Sequence, residues 1–126
     1  MNDKKSYLFT SDHEWINIDG NVATIGITDF AQSELGDIIF VELPGIGDSF
    51  QSKEVFGTIE AVKTVADLFM PLTGEILEIN SNIEDNPEII NKNAFTSGWI
   101  VKIEIKNLNE KDMLLSYEQY KALINV

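Results

Sequence analysis

The sequence predicts a mainly β protein, an antiparallel barrel or sandwich decorated with helices. Three observations support this: many short runs of β-branched and aromatic residues, glycine turns between them, and one longer helical pattern near the C-terminal end. No linker-like or low-complexity stretch divides the 126 residues, and that length suits one domain with a modest core. We therefore expect a single domain over residues 1–126.

The first elements form a hairpin. Residues 1–6 are polar, and we expect them to fray, whereas residues 7–9 suit a short extended segment. Residues 16–18 and 22–27 read as strands. Between them lies Asp19-Gly20-Asn21, whose glycine and asparagine tolerate the positive φ of a tight turn.

A short helix is predicted over residues 28–36. Thr28 or Asp29 caps its N-terminal end, and Gln32 completes a capping box from Asp29. Gly36 suits the left-handed position after the last turn.

Apart from the strands around Lys63, the remaining elements are two strands, a helical turn between them and a terminal helix. Residues 38–43 are apolar and β-branched, which predicts a mostly buried strand. A polar loop with one helical turn at 87–90 precedes an alternating strand at 99–106. The last helix is predicted from about Glu110 to Ile124. It is capped by Asn109, and one face carries Met113, Tyr117, Tyr120 and Ile124.

Lys63 is the residue around which the chain is organised. It lies between runs that read as strands, residues 55–60 before it and residues 68–71 and then 74–79 after it, so a tight connection would hold its amine in water on a rigid stem. Most exposed lysines only solubilise a turn. Here Glu60 and Asp67 flank the lysine with charge, and its immediate neighbours are small or apolar, which suits the close approach of a modifying enzyme.

Composition excludes several classes of function. There is no cysteine and only one histidine, His13, so a thiolate metal site, a multi-histidine zinc site and a cysteine nucleophile are ruled out. The formal charge of -12 opposes binding to nucleic acid and favours partners with basic docking patches. With no long apolar run and no basic, apolar leader, we expect a soluble protein without a membrane partner.

At this point a family resemblance is visible. The chain resembles the H-protein family, the lipoyl carriers of the glycine cleavage system, from about Tyr7 to the terminal helix. The matching segments are His13-Glu14-Trp15, residues 23–29, Leu35-Gly36-Asp37, residues 40–44, Glu60-Ala61-Val62-Lys63 with Asp67, residues 71–76, and Gly98-Trp99.

The resemblance implies a flattened antiparallel barrel or sandwich of the lipoyl/biotinyl hybrid-motif type, with a short helix in the N-terminal half and a C-terminal helix. It also implies lipoate joined by an amide to Lys63. In the family the P protein (decarboxylating glycine dehydrogenase) loads the aminomethyl group of glycine onto the arm. The T protein (aminomethyltransferase) unloads the arm, and the L protein (dihydrolipoyl dehydrogenase) reoxidises it.

The implied role is that of a non-catalytic carrier subunit. Its further partners are a lipoyl ligase or lipoyl transferase. Glu14 is the first candidate for holding the cationic amine on the loaded arm, and Asp67 is the second. We expect His13 to be a packing or hydrogen-bonding residue beside Trp15 rather than a general base.

Three positions depart from the family's usual residues: Phe30 replaces a histidine, and Ala61 and Ala66 each replace a serine. These changes leave Lys63 intact and permit a second interpretation, an H-like lipoate relay that donates to other enzymes. A biotinyl domain is disfavoured because Lys63 lies between Val62 and Thr64 instead of two methionines. The missing leader predicts the bacterial cytoplasm, or the mitochondrial matrix if the source is eukaryotic.

Overall fold

The structure is a computed structural model that describes residues 6–124. Residues 1–5 and 125–126 lie outside the described part, so the predicted fraying of residues 1–6 concerns Ser6 alone within it. None of the helices between Ser6 and Ile124 is both long and apolar enough to cross a bilayer.

Short strands dominate the described chain. They are Leu8–Phe9 (β1), Glu14–Asp19 (β2), Val22–Ile27 (β3), Ile38–Glu42 (β4), Ser49–Phe50 (β5), Val55–Ala61 (β6), Val65–Phe69 (β7), Gly74–Ile79 (β8) and Val101–Ile105 (β9). The helices are Asp29–Leu35 (α1), Asn82–Asp85 (α2), Glu88–Lys92 (α3), a 3-10 helix at Leu108–Met113, and Tyr117–Ile124 (α4).

Two antiparallel sheets form the scaffold, as the predicted fold class requires. The larger has the strand order β1-β2-β3-β9-β8-β5 and the smaller the order β4-β6-β7, and neither closes on itself. Alternate residues of each strand point toward the core between the sheets. From the larger sheet the buried side chains include Ile16, Ile25, Ile76 and Ile103, and from the smaller sheet Val41, Ile59 and Leu68.

The first hairpin forms as predicted. Asp19 of β2 pairs with Val22 of β3, so Gly20 and Asn21 form a two-residue turn, and Gly20 has a φ of 65°. Positive φ at this position explains why glycine is present.

Helix α1 also agrees with the sequence. The Thr28 side chain caps it by accepting a hydrogen bond from the Ala31 backbone N–H, at 3.1 Å. Gln32 donates to the Asp29 side chain instead of to a backbone group, so this pair is a side-chain contact and not the predicted capping box. Gly36 ends the helix at a φ of 79°.

The prediction of a mostly buried strand at residues 38–43 was wrong. In β4 only Ile38 and Val41 are buried, whereas Ile39 and Phe40 are about half exposed. A register shift between Ile38 and Phe40 interrupts the alternation, and β4 is an edge strand of its sheet.

The prediction of one continuous helix from Glu110 to Ile124 was also wrong. A 3-10 helix capped by Asn107 ends at Met113, and α4 begins only at Tyr117. Between them Leu115 exchanges two backbone hydrogen bonds with Phe9, an extended pairing that a helix excludes. Met113 is exposed and takes no part in the predicted face, whereas Tyr120 is buried.

Two smaller differences concern the region between β8 and β9. The predicted polar loop contains α2 in addition to α3, which starts after Pro87 as expected. Strand β9 alternates as predicted, with Val101, Ile103 and Ile105 buried, but it begins after Trp99. The side chain of Asn80 fixes this region by donating to the carbonyls of residues 97 and 99.

Candidate lipoyl-lysine hairpin and cleft

Lys63 lies at the tip of the hairpin formed by β6 and β7, as the sequence predicted. Residues 62–64 connect the strands, and the Ala61 N–H donates to the Thr64 carbonyl across the tip, at 2.8 Å. The Val62 N–H donates to the Asp37 carbonyl at 3.0 Å, which ties the tip to the turn after α1. The lysine is therefore exposed on a backbone that is held at both sides.

The Lys63 side chain extends along Gly36 at the end of α1. A methyl group on Gly36 would lie 3.5 Å from Cε and 4.0 Å from Nζ of the lysine. Within residues 6–124 Lys63 forms no ion pair, so no carboxylate competes for its amine. The amine is open to an acylating enzyme.

Asn91 of α3 supports this arrangement, and the sequence analysis did not identify it. Its amide nitrogen donates to the Gln32 side chain and to the Gly36 carbonyl, both at 2.9 Å. Its oxygen accepts from the Ile38 N–H at 3.0 Å. One side chain thus holds both ends of the turn whose Asp37 carbonyl anchors the hairpin tip. An asparagine in a polar segment carries no sequence signal for such a role.

A cleft of about 260 Å³ lies between α1 and strand β7. Its apolar lining residues are Ile27, Phe30, Ala31, Leu35, Ile59, Ala66 and Leu68. Four carboxylates interrupt this lining, those of Asp12, Glu14, Glu34 and Asp67. Leu35 of this lining directly precedes Gly36, the residue along which the Lys63 side chain extends. Glu14 and Asp67 thus line one cavity, whereas Lys63 itself is not among its lining residues.

Glu14 is buried deeply in the wall of the cleft. Its Oε2 accepts from the Phe69 N–H at 2.8 Å and its Oε1 from the Thr10 hydroxyl at 3.3 Å. Burial raises the pKa of Glu14 to about 8, although the Phe69 N–H opposes the shift. The carboxyl also borders a smaller cavity of about 100 Å³ beside Lys53. Such a group is neutral near pH 7 until a cation approaches it.

Asp67 and His13 differ from Glu14 in their surroundings. Asp67 is an exposed residue of β7 at the rim of the cleft. His13 packs against Phe30, with ring centroids 5.0 Å apart, and its Nδ1 lies 2.9 Å from the Tyr120 hydroxyl. That hydroxyl is 2.7 Å from Thr28 Oγ1. His13 therefore packs and hydrogen-bonds as expected, but its partners are Phe30 and Tyr120 rather than Trp15, and burial lowers its pKa.

Two of the three departures from the family pattern face the cleft. Phe30 and Ala66 line it, so an aromatic ring and a methyl group stand where an imidazole and a hydroxyl are usual. Ala61 is buried at the end of β6. Both changes in the lining make the wall more apolar.

Comparisons with known proteins agree with this architecture. A model of the family described as "Glycine cleavage H-protein" matches residues 7–126. Curated proteins named "Glycine cleavage system H protein" from Bacteroides thetaiotaomicron and Geobacillus thermodenitrificans are 47% and 48% identical over 125 residues, 99% of this chain and 99% and 98% of theirs. The crystal structure of a glycine cleavage system H protein from Mycobacterium marinum superposes with a TM-score of 0.89 at 33% identity, covering 97% of this chain and 98% of that one. The chain belongs to the glycine cleavage H-protein family.

Proposed function

We propose that this chain, as one domain over residues 1–126, is the lipoyl carrier of the glycine cleavage system, with lipoate joined by an amide to Lys63. The observation that carries the proposal is the position of Lys63, exposed on an anchored hairpin tip with its side chain along Gly36, at the end of the helix that forms one wall of a cleft with a buried acid. When bound, lipoate supplies a dithiolane that the P protein loads with the aminomethyl group of glycine, the T protein unloads and the L protein reoxidises.

The residues present fit such an arm. The open amine of Lys63 accepts acylation, which removes its charge. The aliphatic and aromatic lining of the cleft matches a mostly apolar chain, and α1, which forms one wall of the cavity, ends at Gly36 beside the lysine side chain. Covalent attachment keeps the arm at a high effective concentration at each docked enzyme, so the carrier itself needs no catalytic group.

Glu14 is proposed to hold the cationic amine of the cargo, with Asp67 at the rim as the second carboxylate. The hydrogen bonds from the Phe69 N–H and the Thr10 hydroxyl orient the Glu14 carboxyl. A cation beside a buried carboxylic acid lowers its pKa, so Glu14 releases its proton and a charge-assisted hydrogen bond forms. The apolar wall excludes the water that would otherwise remove the carbon of the cargo.

The proposed partners are the P, T and L proteins together with a lipoyl ligase or lipoyl transferase. The charge of -12 favours partners with basic docking surfaces. We place the protein in the bacterial cytoplasm, in line with its bacterial relatives.

A lipoate relay is the second candidate, and the lining of the cleft is the observation that favours it. Phe30 and Ala66 supply no polar group where the family usually has one. A relay needs only Lys63 and a lipoyl transferase, and it has no use for a cleft that holds an amine.

The experiment reconstitutes glycine cleavage with purified P, T and L proteins and three lipoylation-treated chains: wild type, Lys63→Ala and Glu14→Gln. We expect Lys63→Ala to fold normally and lose all glycine-dependent turnover. We expect Glu14→Gln to be lipoylated and loaded, but its loaded form, followed by intact mass, should decay several-fold faster because a neutral amide binds a cation less well. The control is Lys111→Ala, which changes an exposed lysine elsewhere.

The outcomes separate the candidates. A fully active Lys63→Ala chain would contradict the carrier proposal. An unchanged lifetime in Glu14→Gln would remove Glu14 from the amine site. A lipoylated wild type that supports no glycine turnover, yet donates its lipoyl group to another apoprotein through a lipoyl transferase, would establish the relay.

A further inference from the structure

Large apolar side chains are exposed on β4 and on the lysine hairpin. Ile39 is 51% exposed, Phe40 53%, Val62 72% and Val65 62%. Large apolar side chains that cluster on a surface and are interspersed with charge are typical of a protein interface. We name these four residues, together with Glu60, the hairpin face.

Strand register explains why these side chains share one surface. Phe40 of β4 lies opposite Glu60 of β6, and Glu60 lies opposite Val65 of β7. Residues directly opposite one another in neighbouring strands point to the same side of a sheet. Ile39 is the unpaired residue at the register shift between Ile38 and Phe40, and Val62 directly precedes the lysine in the hairpin tip. The row formed by Phe40, Glu60 and Val65 is therefore the last paired row before the tip that carries Lys63.

The charges around the hairpin face identify the chemistry of its partner. Glu60 lies between Phe40 and Val65, and two residues farther from the tip Glu42 lies opposite Thr58. A partner that covers this surface needs an apolar centre with lysine or arginine at its rim. A second copy of this chain does not fit, because it would bring the same carboxylates against each other at a net charge of -12 per chain.

The position of the reacting atom distinguishes one enzyme from the other possible partners. Enzymes that use a loaded arm need to receive only its far end. The enzyme that attaches lipoate must instead bring the lipoyl carbon of an activated ester, such as a lipoyl adenylate, to Lys63 Nζ. There the amine attacks, the C–N amide bond forms, the bond from the acyl carbon to the phosphate oxygen breaks, and the amine loses a proton. This enzyme must contact the residues next to Lys63.

We infer that the hairpin face is the docking surface for the enzyme that acylates Lys63, with Phe40 and Val65 as its apolar anchors. The inference rests on the proposed function, since it requires Lys63 to be the acceptor. Buried apolar anchors account for much of the affinity at protein interfaces, so their removal weakens docking without touching the reacting amine.

The test measures steady-state acylation by a purified lipoyl ligase with lipoate and ATP. The chains are wild type, the double variant Phe40→Ser/Val65→Ser, and the control Leu123→Ser, which removes a side chain of matching 52% exposure on α4. For the double variant we expect the apparent KM for the carrier to rise about tenfold or more with kcat nearly unchanged. The Leu123→Ser chain should match wild type, and the wild-type KM should rise with salt.

Each contrary outcome has a distinct meaning. Wild-type kinetics in the double variant would overturn the docking surface and leave the carrier proposal standing. Normal acylation combined with impaired glycine turnover would overturn it by assigning the face to the P, T or L protein. A wild-type dimer in sedimentation, absent in the double variant, would overturn it in favour of a second copy. A folded wild type that the ligase cannot acylate would overturn the proposed function and this inference together.

Discussion

Glu14 is a carboxylic acid buried in the wall of a cleft, where burial raises its pKa from the ordinary 4.5 to about 8. The folded chain therefore keeps a proton between roughly pH 4.5 and 8 that the unfolded chain releases. The contribution of Glu14 to stability is fully present below this window and is lost as the pH rises through it. The buried carboxyl of Glu14 thus reduces the stability of the folded chain near neutral pH.

The Glu14→Gln variant tests this loss of stability with rising pH. Glutamine keeps an oxygen for the Phe69 N–H but does not ionise, so the variant should gain stability relative to wild type as the pH rises. We expect the difference in unfolding free energy to grow by about 3 kcal/mol between pH 5 and pH 8, measured by urea unfolding at each pH. The control is Glu34→Gln, an exposed carboxylate of the same cleft. A difference that stays flat across this range would show that Glu14 ionises normally.

For single residues, the exposed lysine was easier to identify from the sequence than the residues that support it. Lys63 was identifiable because two strand patterns flank it, and local chemistry fixes a hairpin tip. The burial of the Glu14 carboxyl was not identifiable, because its hydrogen-bond partners are Thr10 and Phe69, and Phe69 lies 55 residues away along the chain. The side-chain contact at Gly36 and the three bonds of Asn91 likewise join residues distant in sequence.

At the scale of elements, the hairpin tip depends on α1 and α3. In the turn at residues 36–38, the Asp37 carbonyl accepts a hydrogen bond from the Val62 N–H of the tip. The Asn91 side chain forms hydrogen bonds to both ends of this turn. Because this chain of hydrogen bonds runs from α3 to the lysine hairpin, loosening it should affect the tip as well as the core.

The Asn91→Ala variant should lose roughly 2 to 3 kcal/mol of unfolding free energy, because it leaves the Ile38 N–H and the Gly36 carbonyl without this partner. It should also speed amide exchange at Val62 beyond what the global loss explains, since the anchor at Asp37 becomes mobile. Urea unfolding and site-resolved hydrogen exchange measure the two effects. Lys92→Ala, an exposed change in the same helix, should stay within about 0.5 kcal/mol of wild type. Unaltered Val62 exchange in Asn91→Ala would contradict the coupling.

Strands and helices that local sequence patterns determine were predicted correctly. The predictions were wrong where contacts between residues distant in sequence determine the structure. The first hairpin, α1 and the alternation of β9 follow from turn residues, a cap and period-two burial. The break in the C-terminal helix follows from the pairing of Leu115 with Phe9, more than 100 residues earlier, which helical periodicity does not encode. The exposure of Ile39 and Phe40 follows from a register shift in an edge strand, and this exposure argues for a partner.

At the scale of the whole molecule, two packed sheets provide a rigid support for one lysine and one cleft. The class was predictable because short alternating strands and glycine turns permit few other arrangements. The division of the strands between the two sheets was not predictable. Strand β5 pairs with β8, although the β6–β7 hairpin between them in sequence belongs to the other sheet. The formal charge of -12 opposes contact between copies and favours docking partners with basic surfaces.

The central claim is that this molecule carries lipoate on Lys63. The most direct measurement is the intact mass of the chain after incubation with lipoate, ATP and a lipoyl ligase, followed by peptide mapping. We expect a single lipoyl-sized mass increment, confined to the peptide that contains Lys63. A well-folded sample that gains no increment, or gains it at another lysine, would show that Lys63 is not the lipoyl attachment site.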